Sequence, residues 1–167
     1  FETFDNYAIG ILHPVTTENS ETFTNASIFV DALIESDLNY ILIYPNNDIG
    51  SSDILINYKK LEKNKRIKIF PSLRFESFLS LLKNSDFIIG NSSTGIREAP
   101  YYNIPTINIG TRQNKRSSGE LIKNINFNKK EILKEIINVK DHEDRFKNKR
   151  EFGNGDSDKL FLKLLRS

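Results

Sequence analysis

Neither cysteine nor methionine occurs anywhere in the 167 residues. The absence of cysteine excludes disulfides, thiolate metal sites and cysteine nucleophiles from this chain, and it fits a reducing compartment. Because there is no methionine and the first residue is Phe1, we expect a fragment or a processed piece of a longer protein. The length suits one domain with a hydrophobic core of its own.

Long apolar runs and a strong charge of one sign are also absent. No apolar run reaches the ~18 residues that a membrane-spanning helix needs, and the start of the chain lacks a signal-peptide pattern. We therefore expect a soluble, cytoplasmic protein that has no membrane partner. The net charge is only +2, and the basic runs at 59–68 and 140–150 alternate with acids and amides. We interpret both runs as solvated surface rather than as nucleic-acid-binding sites.

What the chain does contain is an alternation of short apolar runs with longer amphipathic stretches. The apolar runs predict strands at 7–12, 40–44, 67–70, 87–89 and 106–109. The amphipathic stretches predict helices at 20–36, 52–63, 75–83, 95–101, 119–124, 129–137 and 157–165. Residues 140–151 are charged and either irregular or helical, and 152–156 are rich in glycine.

This alternation, with nearly continuous apolar strands, predicts an α/β fold: a Rossmann-like parallel sheet with helices on both faces. In such sheets ligands bind beyond the carboxyl ends of the strands. The rule nominates the loops after Leu12, Tyr44, Phe70, Ile89 and Ile109. The chemically distinctive segments fall in those loops, in the order HPVTTEN, PNND, PSLRF, GNSST and GTRQNKR.

The loop after the fourth strand has the composition of an anion site. Gly90 and Gly95 allow the backbone to turn tightly and to approach a ligand, and Ser92, Ser93 and Thr94 supply hydroxyls. A helix that begins at Thr94 or Gly95 adds unpaired N–H groups and a partial positive charge. The alternative is that Ser93 or Thr94 only caps this helix, because the segment is neither a P-loop nor a complete G-x-G-x-x-G.

Two charged residues extend the anion-site hypothesis. Glu98 lies one turn into the next helix, where its carboxylate could accept hydrogen bonds from a ribose diol. Arg112 follows the fifth strand, where its guanidinium could pair with a pyrophosphate by two hydrogen bonds. The alternative for Arg112 is an ordinary surface arginine.

Three further residues are candidates on weaker patterns. His13 follows the first strand, where it could act as an acid, a base or a hydrogen-bond donor to phosphate, although a lone histidine is often structural. Asn46 is either a turn residue or a polar ligand contact. Phe75 and Phe78 fit the apolar face of a helix and are expected mainly in the core, with one of them able to pack on a uracil ring.

Taken together, these segments resemble the UDP-N-acetylglucosamine 2-epimerase family, and in particular its hydrolysing branch in the sialic-acid pathway. Pro14 and Val15 favour that branch, because non-hydrolysing enzymes usually carry paired arginines after the histidine. The matching segments are HPVTTEN (13–19), YPNND (44–48), FIIGNSSTGIREAP (87–100), IPTINIGTRQNKR (104–116) and FGNGDSDK (152–159).

The resemblance implies a GT-B-type enzyme of two Rossmann-like domains. Residues 1–167 would form its C-terminal, UDP-binding domain, and the N-terminal domain would precede Phe1. Serines and backbone of the fourth loop would hold the diphosphate, and Glu98 would bind the ribose hydroxyls. The residues assigned to UDP are Asn46, Phe75, Ser92, Ser93, Thr94, Gly95, Glu98 and Arg112, and His13 is assigned as catalytic.

The implied reaction is anti-elimination of UDP from UDP-N-acetylglucosamine, followed by addition of water to give N-acetylmannosamine. In the family the acid and base carboxylates lie mainly in the other domain, no metal or other cofactor is needed, and the full-length chains form homo-oligomers. The isolated domain is therefore expected to be inactive. Alternatives are the same chemistry on UDP-N,N'-diacetylbacillosamine, the donor-binding domain of a GT-B glycosyltransferase, and a non-catalytic nucleotide-binding module.

Overall fold

The computed structural model describes residues 4–116, 119–141 and 156–165. Within them lie six strands: β1 (Ala8–Ile11), β2 (Tyr40–Ile43), β3 (Ile67–Phe70), β4 (Ile88–Gly90), β5 (Thr106–Ile109) and β6 (Ile122–Ile125). The α-helices in the same residues are α1 (Thr22–Glu35), α2 (Ser51–Tyr58), α3 (Phe75–Lys83), α4 (Glu98–Tyr101), α5 (Lys129–Asp141) and α6 (Ser157–Leu165). Short 3-10 helices cover Thr16–Glu21, Lys59–Leu61 and Ser93–Gly95.

These six strands run parallel in one sheet, in the order β3-β2-β1-β4-β5-β6. The strand order reverses between β1 and β4, where Ile11 lies opposite Gly90. A crevice opens beyond the carboxyl ends of the strands at such a reversal, and it is the usual ligand site of open α/β sheets. The predicted Rossmann-like α/β fold is confirmed.

Apolar layers cover both faces of the sheet, as the alternation of side chains along a strand requires. On one face α1, α2 and α5 pack against the sheet through buried residues such as Phe29, Ile54 and Ile132. On the other face α3 contributes Phe78 and Leu82. By contrast, no residue of α6 is buried. None of the described helices is long and apolar enough to cross a membrane.

The prediction of a helix at 119–124 is wrong. Ile122–Ile125 form β6 at the sheet edge, with Ile122 opposite Thr106 and Ile125 opposite Ile109. Two isoleucines three residues apart fit one face of a helix as well as a short strand. The open edge of β5 decides between them, because its backbone groups need a partner.

The structure also differs from the sequence-based expectation in the segment after β4. The helix expected at 95–101 is interrupted: a 3-10 turn covers Ser93–Gly95 and α4 begins only at Glu98. The charged stretch after Asp141 and the glycine-rich segment before Asp156 lie outside the described residues.

Candidate functional site

The loops after β1 and β4 meet where the strand order reverses, and one side chain joins them. Asn91 directly follows β4 and is 1% exposed. The backbone N–H of His13 donates to Asn91 Oδ1 at 2.7 Å, and Asn91 Nδ2 donates to the backbone carbonyl of His13 at 2.8 Å. The Asn91 side chain thus satisfies both backbone groups of His13, as a neighbouring strand would, and holds the two loops together.

Gly90 permits this close approach. Its φ is +132°, and a Cβ atom there would lie 2.0 Å from the backbone oxygen of Ile11. Gly95 has a similar packing role, because a Cβ atom there would lie 2.6 Å from Thr106 Cγ2. The hydroxyl of Thr106 also donates to the Gly95 carbonyl at 2.7 Å. The protein's own backbone and side chains therefore explain both glycines before any ligand is considered.

The ring of His13 is held in one orientation. Its Nδ1 atom accepts a hydrogen bond from the backbone N–H of Asn46 at 3.0 Å. A backbone N–H is always a donor, so Nδ1 is unprotonated and the neutral ring carries its proton on Nε2. Burial and then the positive charge of Arg112 lower the pKa of His13 to about 4, against an opposing effect of Asp48. At neutral pH His13 is an uncharged ring with an Nε2 proton to donate.

Arg112 reaches the same point from the loop after β5. Its Nη1 atom donates to the backbone carbonyl of Asn91 at 3.2 Å, and Nε2 of Gln113 donates to the same carbonyl at 3.1 Å. Burial lowers the pKa of Arg112 from its usual value, while Asp48 opposes that shift; the guanidinium remains charged. His13 and Arg112 thus both depend on Asn91 for their placement.

Sequence reasoning missed Asn91 and Gln113. Asn91 lies in the GNSST segment but has no role assigned from the sequence, although a polar residue that directly follows a buried strand is a signal in itself. Gln113 is 2% exposed, and its Oε1 atom makes no hydrogen bond with the described residues. Its role in placing the loop depends on a contact that spans 22 positions, which no local pattern reveals.

A second contact joins the first and fifth loops. The hydroxyl of Thr111 donates to Glu18 Oε1 at 2.5 Å, across 93 positions of the chain. Glu18 lies in the 3-10 helix after β1. This contact explains part of the HPVTTEN segment by structure rather than by ligand binding.

The turn after β4 is capped, but by a different residue from those predicted. Ser92 is the N-cap of the 3-10 turn, and the backbone N–H of Thr94 donates to its hydroxyl at 3.3 Å. The hydroxyls of Ser93 and Thr94 make no hydrogen bond with any residue the structure describes. They are therefore free to meet a ligand.

Glu98 begins α4, and its Oε2 atom is buried without a hydrogen-bond partner among the described residues. A buried oxygen without a donor is unfavourable by about 1–3 kcal/mol, so a donating ligand group there would be stabilising. Asn46 contacts His13 through its backbone N–H, and its predicted contact with a ligand stays a prediction. Its side-chain Nδ2 donates to Asp48, while Oδ1 is buried and has no partner in the described part of the chain.

A cleft of about 270 Å³ opens at this edge of the sheet, and it is partly aromatic. Phe75 is 60% exposed at the start of α3, whereas Phe78 is buried, so the expectation that both lie mainly in the core is wrong for Phe75. Four of the nine predicted residues line the cleft: His13, Phe75, Ser92 and Thr94. The other five do not: Asn46, Ser93, Gly95, Glu98 and Arg112. The other lining residues are Ile11, Ile43, Tyr44, Pro71, Ser72, Leu73 and Phe78.

A larger hollow of about 510 Å³ lies at the opposite, amino-terminal edge of the sheet, beside Tyr7, Asn39 and Arg66. The predicted residues do not line it, and Arg66 is engaged there with Asp37 at 2.8 Å. In the described parts of the chain, no three histidine or carboxylate side chains are placed to hold a metal ion.

Comparison with known proteins identifies the family. A family model described as UDP-N-acetylglucosamine 2-epimerase matches residues 2–166. The chain is 47% identical to a Neisseria meningitidis UDP-N-acetylglucosamine 2-epimerase, over 80% of this chain and 35% of that protein. It is 30% identical to a Legionella pneumophila UDP-N,N'-diacetylbacillosamine 2-epimerase (hydrolyzing), over 74% of this chain and 33% of that protein.

Solved structures share the fold. The Methanocaldococcus jannaschii UDP-GlcNAc 2-epimerase, in complex with UDP-GlcNAc and UDP, superposes with a TM-score of 0.78 at 24% identity, over 97% of this chain and 45% of that one. A Neisseria meningitidis UDP-GlcNAc 2-epimerase bound to UDP-GlcNAc gives 0.76 at 15% identity, over 97% and 45%. The chain spans about a third of the length of the curated relatives that it matches. It belongs to the UDP-N-acetylglucosamine 2-epimerase family.

Proposed function

We propose that this chain is the UDP-binding, C-terminal half of a hydrolysing UDP-N-acetylglucosamine 2-epimerase. The observation that carries the proposal is the convergence of His13, Arg112 and the Ser92–Thr94 turn on Asn91, at the reversal of strand order. A neutral donor, a cation and free hydroxyls at this edge suit a diphosphate.

The same groups suit the departure of UDP. As the bond between the sugar and the diphosphate breaks, negative charge develops on the leaving group. The Nε2 proton of His13, the Arg112 guanidinium and the hydroxyls of Ser93 and Thr94 would stabilise that charge, since they are placed before the reaction begins. Exposed Phe75 would pack on the uracil ring, and the unpaired Glu98 oxygen would accept from the ribose diol.

The reaction proposed for the full-length protein has two steps. Loss of the proton at C2 and of UDP gives 2-acetamidoglucal, and addition of water then gives N-acetylmannosamine. The carboxylates for these proton transfers would lie in an N-terminal domain that faces the cleft, so the 167-residue chain alone is expected to be inactive. We also expect the full-length protein to form a homo-oligomer and to need no cofactor.

A second substrate has support from one relative. The Legionella pneumophila protein is named for UDP-N,N'-diacetylbacillosamine, and sugar choice would depend on the other half of the cleft. A turnover assay of the full-length protein with both UDP-sugars separates the two possibilities. Release of free UDP in the absence of any acceptor would exclude a glycosyltransferase.

The direct test is calorimetric titration of the chain with UDP. Arg112→Ala is expected to weaken binding by tenfold or more, because a charge-assisted hydrogen bond contributes about 1.5–3 kcal/mol. Arg66→Ala is the matched control, since this arginine lies at the opposite edge of the sheet. A folded chain that does not bind UDP, or that loses equal affinity in both variants, would contradict the proposed site.

A further inference from the structure

We infer that Asn91 is a positioning residue, which aims the His13 imidazole and the Arg112 guanidinium at the ligand without touching the ligand itself. The role of those two side chains in binding UDP rests on the proposed function. The placement by Asn91 does not, because its hydrogen bonds join protein groups only.

Every polar group of Asn91 has a protein partner. Its side-chain oxygen accepts from His13 N and its side-chain nitrogen donates to His13 O, at 2.7 and 2.8 Å. Its backbone N–H donates to the carbonyl of Ile11 at 3.1 Å, and its carbonyl accepts from Arg112 and Gln113. Asn91 is 1% exposed, so its side chain faces the protein interior.

The ring of His13 has two anchors. Asn91 fixes the backbone of His13 on both sides of its Cα atom, and the Asn46 N–H fixes the ring at Nδ1. The direction of the Nε2 proton therefore follows from two anchors on two different loops. If the backbone anchor is removed, the ring no longer meets the Asn46 N–H reliably, and the preference for one tautomer weakens.

Arg112 is held by the same residue. A guanidinium on a surface loop has many rotamers, and holding it in one of them costs entropy. The bond from Nη1 to the Asn91 backbone carbonyl restricts the group before a ligand arrives. The Asn91 side chain holds that carbonyl in place through its two bonds to His13, so a change of the side chain also affects Arg112. The same residue thus prepares the neutral donor and the cation, and it begins the segment that carries Ser92.

The test uses Asn91→Ala and Asn91→Asp in the 167-residue chain. The aspartate has the same size but replaces the donor to the His13 carbonyl by an oxygen, which repels it. Asn57→Ala is the matched control, because Asn57 is 0% exposed and also donates to backbone carbonyls, at 3.3 and 3.0 Å, away from the cleft. Thermal unfolding of all three variants measures the structural cost.

The decisive readout is the tautomer of His13 in the ligand-free chain, from the nitrogen resonances of its ring at pH 7. A His142→Gln chain removes overlap with the other histidine. We expect one tautomer with the proton on Nε2 in the parent and in Asn57→Ala, and a mixture of tautomers in both Asn91 variants. Variants that fold and keep the parent's single tautomer would overturn the inference.

UDP affinity supplies a second readout. Asn91→Ala is expected to weaken UDP binding tenfold or more in the parent but less than threefold in a chain that already carries Arg112→Ala and His13→Ala. Equal losses in both backgrounds would overturn the inference, because Asn91 would then act independently of the two side chains. Failure of both Asn91 variants to fold, where Asn57→Ala folds, would do the same. A parent that binds no UDP refutes the proposed function, while the tautomer measurement still decides the role of Asn91.

Discussion

The ring of His13 offers a ligand one group, the proton on Nε2. To act as a base at Nδ1, the ring would have to give up its hydrogen bond from the Asn46 backbone. To act as an acid from the neutral state, it would have to become an imidazolate, which is unfavourable at neutral pH. At the scale of the residue, His13 is thus suited to donate a hydrogen bond from Nε2, as the proposed contact with the leaving group requires. This supports placing the acid and base groups of the proposed reaction elsewhere.

This protonation state predicts a pH dependence of stability. The pKa of His13 is about 4 in the folded chain and about 6.5 in the unfolded chain. Between these values the unfolded state binds more protons, so the free energy of unfolding rises with pH. The contribution is complete above about pH 6.5 and is lost as the pH falls towards 4.

The measurement is urea unfolding of the parent and of His13→Gln at pH 4.5 and pH 7.5. The parent is expected to lose about 1–3 kcal/mol more than the variant on acidification, since one pKa unit corresponds to 1.36 kcal/mol and partial exposure reduces the effect. Subtracting the variant removes the contribution of the carboxylates. A difference between the two chains that is the same at both pH values would contradict the prediction.

At the scale of the elements, the pairing of β1 with β4 depends on Gly90. A Cβ atom at this position would lie 2.0 Å from the Ile11 oxygen, in a backbone conformation with φ of +132°. Neither Gly90 nor the Ile11 oxygen can move away, because both belong to the backbone of adjacent paired strands. Gly90→Ala is therefore expected to lower the free energy of unfolding by more than about 3 kcal/mol, since strain and overpacking add.

Gly10→Ala is the control for this prediction. Its Cβ atom would also lie close to another atom, at 2.3 Å, but that atom is Cδ2 of Leu42 at the end of a flexible side chain. We expect a loss of about 1–2 kcal/mol there, because the leucine can shift. Urea unfolding of both variants gives the comparison. A loss for Gly90→Ala no greater than for Gly10→Ala would show that β4 can move away from β1.

At the scale of the whole molecule, the hydrophobic core of the described residues does not include α6. The buried clusters on both sheet faces come from elements that precede α6, and α6 has no buried residue although Phe161, Leu164 and Leu165 are apolar. Deleting residues 157–167 is expected to change the free energy of unfolding by less than about 1 kcal/mol, as for other surface changes.

The contrasting variant is Ile132→Ala in α5, where the side chain is 0% exposed. It is expected to cost about 2–5 kcal/mol, because a cavity remains in the core. Urea unfolding compares the two changes directly. A truncated chain as unstable as Ile132→Ala would mean that α6 contributes to the core in solution.

Sequence by itself determined what depends on short-range pattern. The alternation of apolar strands with amphipathic helices specified the parallel sheet, and the rule for its carboxyl edge placed His13, Ser92 and Arg112 in neighbouring loops. The resemblance in GNSSTGIREAP specified the family. These features depend on residues that are close together in the sequence, so the sequence alone predicts them.

Only the tertiary structure decided what depends on partners far away in the chain. Asn91 and His13 are 78 positions apart, and His13 and Asn46 are 33 apart, so neither the anchor nor the tautomer has a local signature. Ile122–Ile125 form the strand β6 because the backbone groups at the edge of β5 need a pairing partner. Phe75 remains exposed because α3 packs against the sheet through Phe78 instead. In each case the deciding energy came from a contact that exists only after the chain has folded.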